Sequence, residues 1–201
     1  MLKRLFDFTA SLAGLILLSP LLIATTLAIR LESPGPAFFL QERVGRGGKR
    51  FRIIKFRTMR QNAPAEGPQI TIGQDPRITP IGRTLRKFKL DELPQLINVL
   101  KGEMSLVGPR PEVPAYMARY TPEQQAIILS VRPGITDFAA IEFSDEAEIL
   151  ARSADPETAY VDQVMPRKFA LYERYVQEQS FWLDLRLIAR TLGKIVGRRD
   201  T

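Results

Sequence analysis

No cysteine and no histidine occur among the 201 residues. The first absence excludes disulfides, a thiolate nucleophile and Cys-type metal sites. The second excludes His-based triads and most zinc, copper and haem sites. Polar chemistry therefore falls to carboxylates, Arg, Lys, Ser, Thr, Tyr and amides, and any metal would be a hard, oxygen-liking ion such as Mg²⁺. Negative charge is scarce at one end only. Residues 1–60 carry three Asp/Glu against 11 Lys/Arg, a net of +8, whereas residues 61–201 carry 19 against 18, a net of −1. A basic excess confined to one end favours an anionic membrane surface or a phosphate-bearing ligand over a uniformly basic nucleic-acid binder. Hydrophobic residues at 45% and charged residues at 25% are enough for a folded core and argue against disorder. The length leaves room for one domain or one and a half.

The basic end is also the most apolar. From Phe8 to Ile29, 22 residues carry no charge. As a helix this stretch is ~33 Å long, against a bilayer core of ~30 Å. A basic start and an apolar run also describe a signal peptide, but the run is long and interrupted, and no clear small-residue cleavage site follows. Ser19-Pro20 falls near the midpoint, where proline removes a backbone hydrogen bond and bends a helix. A neighbouring serine can satisfy the freed carbonyl. Basic residues flank both ends: Lys3 and Arg4 before, Arg30, Arg43, Arg46, Lys49 and Arg50 after. The positive-inside bias draws both ends to the cytoplasm. Two readings fit, a kinked span and a re-entrant helix that breaks at Ser19-Pro20 and returns to the same face.

Glu32-Ser33-Pro34-Gly35-Pro36 turns the chain. Residues 37–43 and 50–56 form short β-type runs around Gly45-Arg46-Gly47-Gly48, the pattern of a β-hairpin. Residues 61–80 are rich in Pro and Gly and read as a loop. A short basic helix is expected over 81–90, with Ile81, Leu85 and Phe88 on one side. The next helix begins at Asp91: Leu93, Leu96, Ile97 and Leu100 have helical spacing, Asp91 fits an N-cap, and Gly102 fits the C-terminal stop. Further helices are expected near 114–120, 122–130, 142–151 and 161–178. In the last one, 181–196, Phe181, Trp182, Leu185, Ile188, Ala189, Leu192, Ile195 and Val196 share a face opposite Asp184, Arg186, Arg190 and Lys194. Such a helix suits a membrane interface or a core-packed position equally.

The adjacent carboxylates Asp91 and Glu92 stand out. On a helix they point about 100° apart, so they are no side-by-side dyad, but both can serve one site. At a helix N-terminus the dipole favours an ionised carboxylate and a bound phosphate. An Asp before a helix is also an ordinary cap. The surroundings are basic. Arg83, Arg86 and Lys87 precede the pair, Arg110 is held between Pro109 and Pro111, and Arg132 precedes Pro133-Gly134. Arginine grips phosphate in a planar, bidentate way.

The run DPRITPIGRTLRKFKLDELPQLINVLKGEMSLVGPRP (Asp75–Pro111), with IIKFRTM (Ile53–Met59), VRPGIT (Val131–Thr136) and the Ser19-Pro20 break, resembles the bacterial sugar transferase family. These are the monotopic polyprenol-phosphate phosphoglycosyl transferases, and the likeness is to their minimal form. It implies a mainly α fold with a small β-hairpin and interfacial amphipathic helices. Residues 1–31 would form the re-entrant membrane helix and residues 32–201 the cytosolic catalytic domain. It implies transfer of a sugar 1-phosphate from a UDP-sugar to polyprenyl (undecaprenyl) phosphate, with Mg²⁺ and release of UMP. The setting would be the cytoplasmic face of the bacterial inner membrane, at the first membrane step of glycoconjugate assembly. Asp91 would be the nucleophile and Glu92 a metal or positioning group, both near Mg²⁺. Arg86, Arg110 and Arg132 would hold phosphates, with Lys55 close by. Membrane lipids would be partners, nucleic acid would not, and a homo-oligomer is left open. After Thr136 the chain departs from the Gly-Trp-Ala-Gln-Val-Asn-type segment of many relatives, which bears on sugar preference if that segment touches the sugar. A non-enzymatic, membrane-anchored basic module is the alternative, and would bind in a salt-sensitive manner indifferent to Asp91. A carboxylate-pair hydrolase fits poorly: the spacing is wrong and no aromatic cluster lies near the pair.

Overall fold

The computed structural model describes residues 2–62, 70–73, 75–143 and 146–197, without the side chain of Val196. Two helices open the chain, α1 (Leu2–Leu17) and α2 (Ser19–Glu32), bent by 61° at the break between them. No single described helix is long and apolar enough to cross a membrane. Pro20 has no N–H to offer the carbonyl four residues back, and the Ser19 hydroxyl donates to that carbonyl, Ile16 O, at 2.8 Å. The expected bend and its compensation are both present.

The burial of this pair is inverted. In α1 the buried residues are Asp7 and Ser11, one helical turn apart, while Leu2, Leu5, Phe8, Leu12, Ile16 and Leu17 are exposed. In α2, Leu21, Ile23, Leu27 and Leu31 are exposed. Both ends of the pair are fastened to the rest of the molecule. Lys3 donates to Asp184 at 2.5 Å, and Arg4 donates to the carbonyls of Val99 and Leu100. Asp7 accepts from the Ser105 hydroxyl and the Leu106 N–H. At the far end Arg57 donates to the carbonyls of Ser33 and Pro34, and Ile29 is buried with Ala37, Phe56 and Leu85.

The expected hairpin follows as β1 (Phe38–Val44) and β2 (Arg50–Phe56), antiparallel with Gln41 opposite Ile53. A 3₁₀ turn, Arg46–Gly48, joins them, with Gly47 and Gly48 at positive φ. Of the loop expected over 61–80, residues 63–69 and 74 lie outside the described residues. Next come α3 (Pro80–Lys87), capped by the Thr79 side chain, and α4 (Leu96–Lys101), stopped by Gly102 at φ 82. A two-stranded parallel sheet of β3 (Ser105–Val107) and β4 (Gly134–Thr136) was not foreseen, because three-residue strands carry no alternation to read.

Small helices α5 (Pro114–Met117), α6 (Pro122–Ile128), α7 (Phe138–Glu142), α8 (Glu146–Ala151) and α9 (Pro156–Ala159) complete this part of the chain, with α7 packed against β4. The helix expected over 142–151 is thus two, α7 and α8, and residues 144 and 145 lie outside the described residues. A π-turn, Tyr160–Val164, leads into α10 (Met165–Glu178), and α11 (Phe181–Gly197) closes the chain. The main core gathers Val113, Met117, Tyr120, Tyr160, Val164 and Tyr172. In α11 the periodic reading needs correction. Asp184 is buried, held by Lys3 and by the Tyr175 hydroxyl at 2.8 Å, beside a fully buried Leu187. Trp182 and Leu192 are exposed, so the expected apolar face is not wholly packed on protein. Apolar spacing alone could not tell which side of the helix met protein, because a polar pair occupies the protein side.

Candidate active site

Asp91 does not cap a helix, contrary to expectation. The chain leaves α3 through Lys89, the one described non-glycine residue at positive φ (56°), and enters a 3₁₀ turn, Leu90–Gln95. A left-handed Lys costs on the order of 1–3 kcal/mol, so surrounding contacts must hold it. Lys89 N–H donates to Arg86 O at 3.2 Å and Lys89 O accepts from Glu92 N–H at 3.3 Å. Further on, Asn98 is fully buried, accepts from Ile54 N–H at 3.0 Å and donates to Arg52 O at 2.8 Å. α4 and the turn before it are thereby pinned along β2. Pro94 lies inside the tight turn rather than in the first turn of an α-helix.

The turn puts Asp91 and Glu92, each 8% exposed, on the wall of a cavity of about 1010 Å³. Lys55 reaches the same wall from β2, Arg86 from α3 and Arg110 from the loop after β3. Arg110 owes its position to close backbone packing. A Cβ at Gly108 would lie 2.4 Å from Arg132 O, and one at Gly134 would lie 2.1 Å from Gly108 N. Arg43 of β1 adds a hydrogen bond to Pro111 O at 2.9 Å. Apolar lining comes from Phe38 and Leu40 of β1, from Leu93 and Leu96 close in sequence to the carboxylates, and from Ile188 and Leu192 of α11.

The two carboxylates sit in opposite electrostatic conditions. Glu92 accepts from Arg110 at 2.5 Å and from Lys55 at 3.2 Å. Burial pushes its carboxyl up, but Arg110, Lys55 and Lys89 together outweigh that and hold it well below the ordinary range. Asp91 Oδ1 is buried and has no hydrogen-bond partner among the described residues. Burial, and then the charge on Glu92, raise the Asp91 carboxyl, with Lys55, Lys89 and Arg86 acting against them. The expected helix-dipole support for an ionised Asp91 is therefore replaced by nearby cations. Burial also lowers Lys55 to about 8, with Glu92 opposing.

Arg86 donates to the hydroxyls of Thr58 and Thr71 at 2.8 and 2.9 Å. Arg132 stands apart from the others. It is not on the cavity wall among the described residues, and its Nε donates to Gly102 O at 2.9 Å, serving the end of α4. Sequence reasoning missed Asp137, Arg43 and Lys168. Asp137 caps α7, accepts from Ala140 N–H at 2.6 Å and from Arg110 N–H at 3.3 Å, and is raised to about 6 by burial. An Asp before a short apolar run was a readable cap signal, but its link to Arg110 was not. Ala139, Ala140 and Phe143 of the departing segment do line the cavity; Ser144 lies outside the described residues.

Among the described residues no cluster of three or more potential protein ligands for a metal is found. The donor set here is smaller and of hard oxygens: the unpartnered Asp91 Oδ1 and the carboxylate of Glu92. Magnesium is commonly held by one or two carboxylates with substrate phosphates and water, so the pair fits such an ion.

A family model described as "Bacterial sugar transferase" matches residues 1–198. The chain is 39% identical over 206 residues to a UDP-N-acetylgalactosamine-undecaprenyl-phosphate N-acetylgalactosaminephosphotransferase of Aeromonas hydrophila, covering 97% of this chain and 44% of that protein. It is 39% identical over 198 residues to a UDP-glucose:undecaprenyl-phosphate glucose-1-phosphate transferase of Caulobacter vibrioides, covering 96% and 69%. An undecaprenyl-phosphate galactose phosphotransferase of Salmonella typhimurium is 36% identical over 214 residues, covering 99% and 41%. The chain thus spans less than half the length of two of these relatives. With the family match running from the broken helix, through the carboxylate turn, to the end of α11, the chain belongs to the bacterial sugar transferase family.

Proposed function

We propose that the protein transfers a sugar 1-phosphate from a UDP-sugar to undecaprenyl phosphate at the cytoplasmic face of a membrane, releasing UMP. The observation that carries this is one buried carboxylate with a free oxygen, Asp91, beside a second carboxylate, Glu92, neutralised by Arg110 and Lys55 in one cavity. The activities for which these relatives are named agree with it.

In this reading Asp91 Oδ1 attacks the β-phosphorus of the donor. The bond from that phosphorus to the bridging oxygen breaks, and UMP leaves with the electron pair. The sugar phosphate is then held as an acyl phosphate on Asp91. An oxygen of undecaprenyl phosphate attacks the same phosphorus, the carboxylate is released, and the lipid-linked diphosphosugar forms. Both attacking groups are anions, so no histidine base is needed. A carboxylate stripped of water and of hydrogen bonds is the more reactive for it. Arg110, Lys55 and Arg86 offset charge on the phosphates. Asp91 and Glu92 would hold Mg²⁺, which, when bound, draws charge from the phosphate oxygens.

The membrane part rests on the bent helix pair. Both of its ends are fastened to the same body, and its apolar residues face outward near the break. A re-entrant loop satisfies both facts, whereas a span would have to separate Lys3 from Asp184.

The test is UMP release from UDP-sugars with undecaprenyl phosphate and Mg²⁺. Asp91→Asn is expected to lower it by on the order of 10³ or more. Wild-type protein given donor alone should gain the mass of one sugar phosphate on the peptide holding Asp91. Full activity in Asp91→Asn ends the nucleophile assignment.

A further inference from the structure

The cavity has a side chamber. A second space of about 80 Å³ adjoins Arg110 and shares Arg43, Ile70, Arg110 and Lys168 with the main cavity. Glu112, Val113, Tyr116 and Tyr160 complete its wall. It has room for a few waters or one substituted edge of a sugar ring, and far too little for a nucleobase with its ribose.

Apart from Arg110, its polar groups have no part in the phosphate chemistry above. Glu112 is buried and accepts from the Tyr160 hydroxyl at 3.2 Å. Lys168, 5% exposed, is ion-paired with Glu146, lies 3.5 Å from the Tyr160 hydroxyl and sits over the Tyr160 ring. Arg43 Nε is buried with no hydrogen-bond partner among the described residues. Buried charges around an open space are costly unless a polar ligand completes their hydrogen bonds.

We propose that this chamber receives a substituted edge of the donor's sugar ring, and that Glu112, Tyr160 and Lys168 set which UDP-sugar is accepted. The inference rests on the proposed transferase function. Mixed donors and acceptors beside an aromatic ring match hydroxyl and acylamino substituents, and Lys168 is already ion-paired with Glu146. Arg110 borders both the chamber and Glu92, so a sugar in the chamber lies next to the phosphate that Arg110 would hold.

The experiment compares wild type, Lys168→Met and Tyr160→Phe, as full chains in lipid nanodiscs with undecaprenyl phosphate and Mg²⁺. UMP release is measured from UDP-glucose, UDP-galactose and their N-acetyl counterparts, with inhibition by UMP alongside. The ratio of kcat/KM between the two best donors is expected to shift about tenfold, the scale of one lost hydrogen bond to a charged group, with UMP inhibition unchanged within about twofold. A constant ratio with weaker UMP inhibition puts the nucleotide in the chamber and overturns the proposal. A constant ratio with unchanged UMP inhibition makes the chamber structural and overturns it too. Tyr160→Phe removes only a hydroxyl, so it decides the matter if Lys168→Met does not fold. Wild-type protein that releases UMP from no donor defeats the transferase reading itself, before any variant is compared.

Discussion

Two neighbouring residues with the same functional group, Asp91 and Glu92, differ because their partners differ. Glu92 has two cations within hydrogen-bonding distance and stays ionised, while one oxygen of Asp91 is buried with nothing to bond. Environments that push two carboxyls apart are a mark of divided roles. A raised carboxyl makes the fold less stable once it ionises. Its stabilising share is complete below the ordinary Asp range near 3.9 and is lost as pH rises through the higher folded value. Asp91→Asn should therefore melt above wild type at pH 7, and the gap should close as pH falls below about 4. Thermal melts across that range check this. A variant that melts well below wild type at pH 7 would show that the Asp91 charge is net stabilising. Activity carries the opposite sign: it needs the ionised form and should fall on acidification at a higher pH than an ordinary Asp would give.

Among the elements, the shortest have the largest effect on the site. β3 and β4 are three residues each, yet their pairing fixes the loop that carries Arg110. The pairing depends on Gly108 and Gly134 meeting backbone to backbone. Gly134→Ala would drive a Cβ to 2.1 Å from Gly108 N, and backbone cannot yield as a side-chain tip does. Overpacking of this kind should cost about 1–3 kcal/mol, with a fall in UMP release as Arg110 shifts. Gly193 in α11 is the contrasting case, since nothing lies within 4 Å of its added Cβ. Gly193→Ala should stabilise by up to about 1 kcal/mol through helix propensity. Denaturant melts of the two variants should move in opposite directions.

For the molecule as a whole, the N-terminal pair is built inside out. Asp7 and Ser11 face protein, and leucines face outward. In the proposed membrane setting that outward apolar face would lie against lipid. Because the chain has no cysteine, single cysteines at Leu2 and Lys49 can be labelled without background. Both are exposed, and both should react with an impermeant thiol reagent from the cytoplasmic side. Labelling from opposite sides would replace the re-entrant loop by a span. High salt should leave the protein on membranes and detergent should release it, because apolar anchoring is not screened. Release by salt alone would favour the basic-module alternative.

Much was legible in the sequence, wherever the relevant interaction is local. The break at Ser19-Pro20, the hairpin around its glycines, the stop at Gly102 and most helices follow from residues a few positions apart. The carboxylate turn and its arginines were legible as a motif. Tertiary structure decided which charges meet. Arg86 and Arg110 reach one cavity and Arg132 does not, though Arg110 and Arg132 each stand directly before a proline. Asp91 reads as a cap but is a buried carboxylate with one unpartnered oxygen, because Lys89 turns left-handed and β2 holds the turn that follows. Asp184 reads as a solvent-facing charge, but Lys3, 181 residues away, draws it inward. Burial and ion pairing depend on what the rest of the chain brings alongside, and local spacing contains no record of that.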